Sequence, residues 1–166
     1  MILIEDNFED DSQEGQKRLA RKLLSNGLLT KYGISKMPHW DYGAQGKPFF
    51  KDYPDIHFNI SHCKKAVVCA LSVEPIGIDV ECIEEYDDDL AKYIASPEEY
   101  QSITGNSNKG LAFAVLWTQK ESYLKLSGEG LIDRKKIQSI LIENNCNFHT
   151  VINESKGYVV TTCKYN

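Results

Sequence analysis

Asp79 and Glu81 alternate with Ile78 and Val80 in the run Ile76-Gly77-Ile78-Asp79-Val80-Glu81. Side chains two apart on a strand share a face, so this run puts two carboxylates on one side of an apolar strand. About 40 residues later, Trp117, Glu121 and Lys125 recur at four-residue intervals in Trp117-Thr118-Gln119-Lys120-Glu121-Ser122-Tyr123-Leu124-Lys125. That interval stacks them on one side of a helix. Three acidic oxygen donors and a cation suit one Mg²⁺ holding a pyrophosphate. Oxygen ligands accept Mn²⁺ as well. Each half of this set also has a plainer reading. A half-exposed antiparallel strand alternates in the same way, and Glu four residues before Lys is a common surface pair. Two features favour a site. Gly77 leaves room for a ligand beside the carboxylates. The run from Leu111 to Trp117 is apolar most of the way round, so its helix is buried. Charges on its continuation then lie at the rim of the core, where they need partners.

Three further groups are candidates. Ser61-His62 closes a strand that begins His57-Phe58-Asn59-Ile60, and small polar donors at a strand end can face a phosphate. Gly46-Lys47-Pro48 places a lysine on a stiff turn just before that strand, as a solvated lysine or a phosphate ligand. Lys17, Arg18, Arg21 and Lys22 lie on the first helix, where Arg18 and Arg21 share a face with Lys22; a solvated face is favoured over a binding site for most of them. Cys63 follows His62; as a single thiol with no evident activating partner it carries no redox role.

The elements that must position these residues are legible from pattern. Residues 2–4 suit a short strand. Leu19, Leu23 and Leu24 recur at helical spacing between Ser12 and Asn26, with Gly27 as the stop. Residues 31–55, rich in Gly, Pro and aromatics, read as loop with one short strand. Strands are expected over 57–60, 66–73 and 76–81, with a turn at Glu74-Pro75. Residues 87–95 suit a helix, and Ser96-Pro97-Glu98-Glu99 carries the cap, proline and glutamate of a helix start. After a polar loop at 102–109, a helix runs from about Lys109 to Leu126 and closes at Ser127-Gly128. Strands are expected over 136–143, 147–153 and 157–164, the last two as a hairpin. This order predicts an α+β fold with mostly antiparallel sheet, in two halves, 1–75 and 76–166, each a helix on a small sheet.

Length and composition agree with one integrated unit of 166 residues. The net charge of −5 argues against a nucleic-acid binder working by bulk charge. No apolar run approaches the roughly 18 residues of a membrane span. The start, Met1-Ile2-Leu3-Ile4-Glu5-Asp6, lacks the basic head and long apolar core of a signal peptide, so a cytoplasmic protein is expected. Five cysteines without a Cys-x-x-Cys spacing fit reduced, buried thiols rather than zinc or a disulfide framework.

Together the motifs Gly46-Lys47-Pro48, Phe58-Asn59-Ile60-Ser61-His62, Ile76 through Glu81, and Trp117 through Lys125 with Ser127-Gly128-Glu129-Gly130-Leu131 resemble the 4′-phosphopantetheinyl transferase superfamily, in its monomeric, surfactin-synthetase-activator class. The resemblance spans residues 46–131. It implies two similar α+β halves related by a pseudo-twofold, with coenzyme A between them. It also implies a monomer that transfers 4′-phosphopantetheine from coenzyme A to a serine of an apo carrier protein, releasing adenosine 3′,5′-bisphosphate. By motif position, Asp79, Glu81 and Glu121 would be the magnesium carboxylates, and Lys47, Ser61, His62 and Lys125 would hold the phosphates of coenzyme A. Glu121, with Lys125 and His62, would form the catalytic group, Glu121 as the base. Members of this class often carry an arginine near the start of the first long helix; here that position falls close to Ser12, and the region before Gly46 is short. A non-catalytic coenzyme A-binding module and a magnesium-dependent pyrophosphate hydrolase are the competing readings of the same residues.

Overall fold

The computed structural model describes residues 1–84, 86–130, 133–143 and 145–166. Strand β1 (Ile2–Glu5) leads into helix α1 (Gln13–Tyr32), the short hairpin β2 (Trp40–Tyr42) and β3 (Pro48–Phe50), and a second hairpin, β4 (His57–His62) and β5 (Val67–Ser72). Strand β6 (Gly77–Cys82) opens the second half. Helices α2 (Asp88–Ile94), α3 (Pro97–Thr104), α4 (Lys109–Ser127) and α5 (Arg134–Glu143) follow, then the hairpin β7 (Cys146–Asn153) and β8 (Tyr158–Tyr165). This is the α+β, antiparallel architecture that the pattern predicts.

The same order recurs twice. A strand, a long helix and a hairpin build a three-stranded sheet in which the last strand lies in the middle, β1-β5-β4 in the first half and β6-β8-β7 in the second. No residue-level repeat accompanies this. Leu24, Leu28, Phe58 and Leu71 form the core between α1 and the first sheet. Val68 and Ala70 of β5 meet Ile78 and Val80 of β6, so the two sheets share a second core. Helix α4 is wrapped by a third, which includes Ile94, Ile103, Ile137 and Ile140. Among the described residues no helix is long and apolar enough to cross a membrane.

Three expectations need correction. Helix α1 does not stop at Gly27 but at Gly33, whose φ of 69° gives the left-handed cap. Gly27 is instead a close-packing point, since an added Cβ would lie 2.3 Å from Leu71 Cδ1. The segment 136–143 is helix, not strand. Ile137, Ile140 and Leu141 recur at helical spacing, and Ile137 and Ile140 are buried in the core around α4. The β-branched pair Ile140 and Ile142 imitates a strand, yet tertiary burial decides the outcome. Residues 31–55 hold two short strands rather than one, and their hairpin carries Gly46-Lys47-Pro48. Leu131, the end of the last motif, lies outside the described residues.

One buried cation ties the helices of the second half together. Lys120 is fully buried, and its Nζ donates to the carbonyls of Ile94 (3.0 Å) and Ile137 (2.9 Å) and to Glu99 Oε2 (2.8 Å). Glu99 in turn completes the capping box of α3 by accepting from Ser96 N. Helix α4 thereby grips the end of α2, the start of α3 and the body of α5 through one ammonium. Removing one partner of a buried charged set is costly, because the others are left unpaired. Lys120→Ala is therefore expected to lower unfolding stability by about 3 kcal/mol, read by urea denaturation.

Candidate functional site

Strand β6 lies between the first sheet and α4. Its even-numbered residues, Ile78 and Val80, face the core shared with β5. Its odd-numbered residues turn towards α4. Gly77 shows how close the approach is, since a Cβ there would lie 1.9 Å from Ser122 O and 2.7 Å from Leu126 N. The space beside Gly77 is therefore filled by the backbone of α4, and the sequence reading of that glycine as room for a ligand is wrong. The glycine instead lets the helix lie flush on the strand. Strand β4 is fixed beside β6 by Asn59, a buried residue whose Oδ1 accepts from Ile78 N at 3.1 Å. The sequence groups Asn59 with Ser61 and His62 as strand-end polar groups able to face a phosphate; its side-chain oxygen is spent instead on the backbone of β6.

These contacts bring the distant motifs together. Ser61, His62, Asp79, Glu81, Glu121 and Lys125 line one cleft of about 390 Å³, with Ile60 and Trp117 as apolar walls. Asp79 is 2% exposed. Its Oδ1 accepts from Ser61 Oγ at 2.7 Å and from Lys125 Nζ at 2.5 Å. Lys125 Nζ also donates to Ser61 Oγ at 2.8 Å. The second oxygen, Asp79 Oδ2, is buried and has no hydrogen-bond partner among the described residues. Buried carboxylate oxygens are nearly always satisfied, so this one marks a place that wants a positive group.

The electrostatics carry the same message. Burial, then the charge of Asp79, pushes the Glu81 carboxyl up to about 8; Lys125 opposes and Glu121 adds to the rise. Glu121 is also raised, by burial first and by Asp79 second, with Lys125 again opposing. Three carboxylates thus feel one another across the cleft, and Lys125 is the cation that tempers them. As they stand, no three His, Cys, Asp or Glu groups among the described residues are spaced to hold a metal ion. Lys125 lies against Asp79, the most buried of the three.

The remaining candidates sit around this centre. His62 ends β4 on the exposed side, and burial, followed by the charges of Lys125 and Lys17, lowers its imidazole below the usual range. Lys47 lies in an adjoining cleft of about 370 Å³ that shares Ile60, Glu121 and Lys125 with the first. Its Nζ donates to Leu126 O at 2.6 Å, at the negative end of α4, and burial lowers its pKa. Arg18 is held by Asp10 at 2.8 Å, and Arg21 lies over the Trp40 ring. Neither arginine reaches the cleft, which leaves the solvated reading of that helical face in place for both.

Residues 75–163 match the family model described as the 4′-phosphopantetheinyl transferase superfamily. This chain belongs to that superfamily. The matched stretch includes Asp79, Glu81, Glu121 and Lys125. Curated transferases align over more of the chain. The 4′-phosphopantetheinyl transferase gsp of Aneurinibacillus migulanus is 37% identical over 163 residues, covering 86% of this chain and 68% of that protein. A 4′-phosphopantetheinyl transferase of Bacillus subtilis is 42% identical over 124 residues, covering 69% of this chain and 55% of that protein. The transferase Sfp of Bacillus subtilis (strain 168) is 41% identical over 124 residues, with the same two shares. The aligned part of this superfamily member thus spans about two thirds of gsp and about half of the other two.

Because Gly77 sets the distance between β6 and α4, filling it should disturb both fold and cleft. Gly77→Ala is expected to cost about 2 kcal/mol through overpacking against the α4 backbone. Denaturant melts read that loss.

Proposed function

We propose that this chain transfers 4′-phosphopantetheine from coenzyme A to a serine hydroxyl of an apo carrier protein, releasing adenosine 3′,5′-bisphosphate. The convergence of Asp79, Glu81, Glu121 and Lys125 on one cleft carries this reading, and membership of the transferase superfamily supports it. Coenzyme A is the donor, a carrier protein the acceptor, and the working form a cytoplasmic monomer with no nucleic acid or membrane partner.

The chemistry follows from the residues. The serine oxygen attacks the phosphorus that bears the pantetheine arm, and the bond from that phosphorus to the bridging oxygen breaks. The electron pair leaves with the adenosine bisphosphate. Glu121 takes the serine proton, and the burial and Asp79 charge that raise its carboxyl make it a stronger base. Lys125 offsets the charge that grows on the bridging oxygen. Ser61, His62 and Lys47 hold the phosphates of coenzyme A, with Ser61 and His62 beside the carboxylates and Lys47 in the adjoining cleft. A Mg²⁺ ion fits the crowded acids and the partnerless Asp79 Oδ2, and Asp79, Glu81 and Glu121 would hold it once Lys125 turns to the phosphates. When bound, it would neutralise the pyrophosphate.

Incubation with coenzyme A, Mg²⁺ and several apo carriers tests the proposal by mass spectrometry. The transferase adds one phosphopantetheine to the carrier. Cleaved coenzyme A without that gain would mean a hydrolase, and binding without reaction would mean a coenzyme A-binding module. Glu121→Gln is expected to cut transfer by about 100-fold or more while the melting temperature holds or rises, because one of three crowded acids is gone. Wild-type loading by that variant removes Glu121 as the base. Lys125→Ala is expected to weaken both coenzyme A binding and turnover; unchanged values of both take Lys125 out of the site.

A further inference from the structure

Strands β4 and β6 belong to different sheets, and side-chain bonds join them beside the cleft. Asn59 Oδ1 accepts from Ile78 N at 3.1 Å, and Ser61 Oγ donates to Asp79 Oδ1 at 2.7 Å. Asn59 and Ser61 are two apart on β4, so they share a face, the one turned to β6. The first bond also settles which way the Asn59 amide points. A backbone N–H can only donate, so the amide oxygen faces Ile78 and the NH2 group faces away. That nitrogen has no hydrogen-bond partner among the described residues. Nor is it sealed in the core: the sealed side-chain atoms without a partner, among the described residues, are Tyr32 Oη and Asp79 Oδ2. Asn59 is 4% exposed, and it lines the cleft of about 370 Å³ that also holds Lys47, Glu121 and Lys125. Its free N–H donors therefore open onto that cleft.

We propose that Asn59 is a ligand-binding residue, and that its Nδ2 donates to an oxygen of the coenzyme A diphosphate. The name of the ligand rests on the transferase reading; the donor into the cleft does not. Lys47 and Lys125 bring positive charge to the same cleft, which selects an anion. Glu121 and Lys125 also line the carboxylate cleft, which puts that anion at the diphosphate, where the reacting bond lies, rather than at the ribose phosphate. The lysines and the amide divide the work. A lysine is a point charge on a flexible stem, so it attracts an anion without fixing its orientation. The Asn59 amide is buried and held by Ile78, so its donors are in place before the ligand arrives and little freedom is lost on binding. Because the same amide spans β4 and β6, it locates the diphosphate relative to the strand that carries Asp79 and Glu81.

The test uses the full chain with Mg²⁺ and calorimetry on inorganic pyrophosphate, coenzyme A and dephospho-coenzyme A, which keeps the diphosphate but lacks the ribose phosphate. Asn59→Asp retains an oxygen for Ile78 N and removes the NH2 donors. It is expected to bind each probe about 10-fold more weakly or worse, the loss that goes with one hydrogen bond to a charged group. Wild-type affinity in this variant overturns the proposal. A loss seen with coenzyme A but absent with dephospho-coenzyme A also overturns it, because the contact would then be to the ribose phosphate. Amide NMR of the wild-type chain gives a reading that does not depend on the variant folding. The Asn59 side-chain NH2 signals should shift as pyrophosphate is added and level off as the site fills; signals that stay in place overturn the contact. A wild-type chain that binds pyrophosphate at Asn59 but does not bind coenzyme A sinks the transferase reading and leaves the diphosphate contact standing. A chain that binds neither overturns both.

Discussion

Helix α4 lies so close on β6 that only a glycine fits beneath it, and this contact places like charges where they repel. Asp79 and Glu81 project from the strand, Glu121 from the helix, and both elements are anchored by apolar cores on either side. The acids cannot move apart without opening that packing. Burial first, and the charge of Asp79 second, raise the carboxyls of Glu81 and Glu121, and among the described residues Asp79 Oδ2 has no partner. Folding tolerates such local conflict when surrounding burial outweighs it, and functional sites are where the conflict is found.

Three lysines near α4 show how position divides one side chain among different tasks. Lys120 points into the helical core and is consumed by carbonyls and Glu99. Lys47 reaches across from the β2–β3 hairpin to the end of α4. Lys125 stands at the rim, against Asp79 and Ser61. The first lysine holds α4 in place, and the other two line the clefts that α4 shapes.

Much of this was legible from residue order. The alternation around Asp79 and Glu81 and the four-residue interval from Trp117 to Lys125 each describe a single element, and each face they define does line the cleft. The capping box at Ser96 is equally local and formed as expected. The misreadings concern residues whose meaning depends on another part of the chain. Gly27 and Gly77 resemble a stop and a gap, but each marks a close approach by a distant segment. Residues 136–143 alternate like a strand until the core around α4 selects their helical face. The task of Asn59 is set only beside β6, whose backbone N–H it accepts. One-dimensional pattern reports periodicity well and contact between elements poorly.

The proposed transfer needs Asp79, Glu81 and Glu121 to close around one divalent cation when coenzyme A is bound. A melting experiment with coenzyme A present and Mg²⁺ varied tests it most directly, because a ligand that binds the folded chain raises its melting temperature with concentration. The melting temperature should climb with Mg²⁺ in the wild-type chain, and Asp79→Asn should abolish most of that climb. A wild-type chain indifferent to Mg²⁺, or a variant that responds just as strongly, would contradict it.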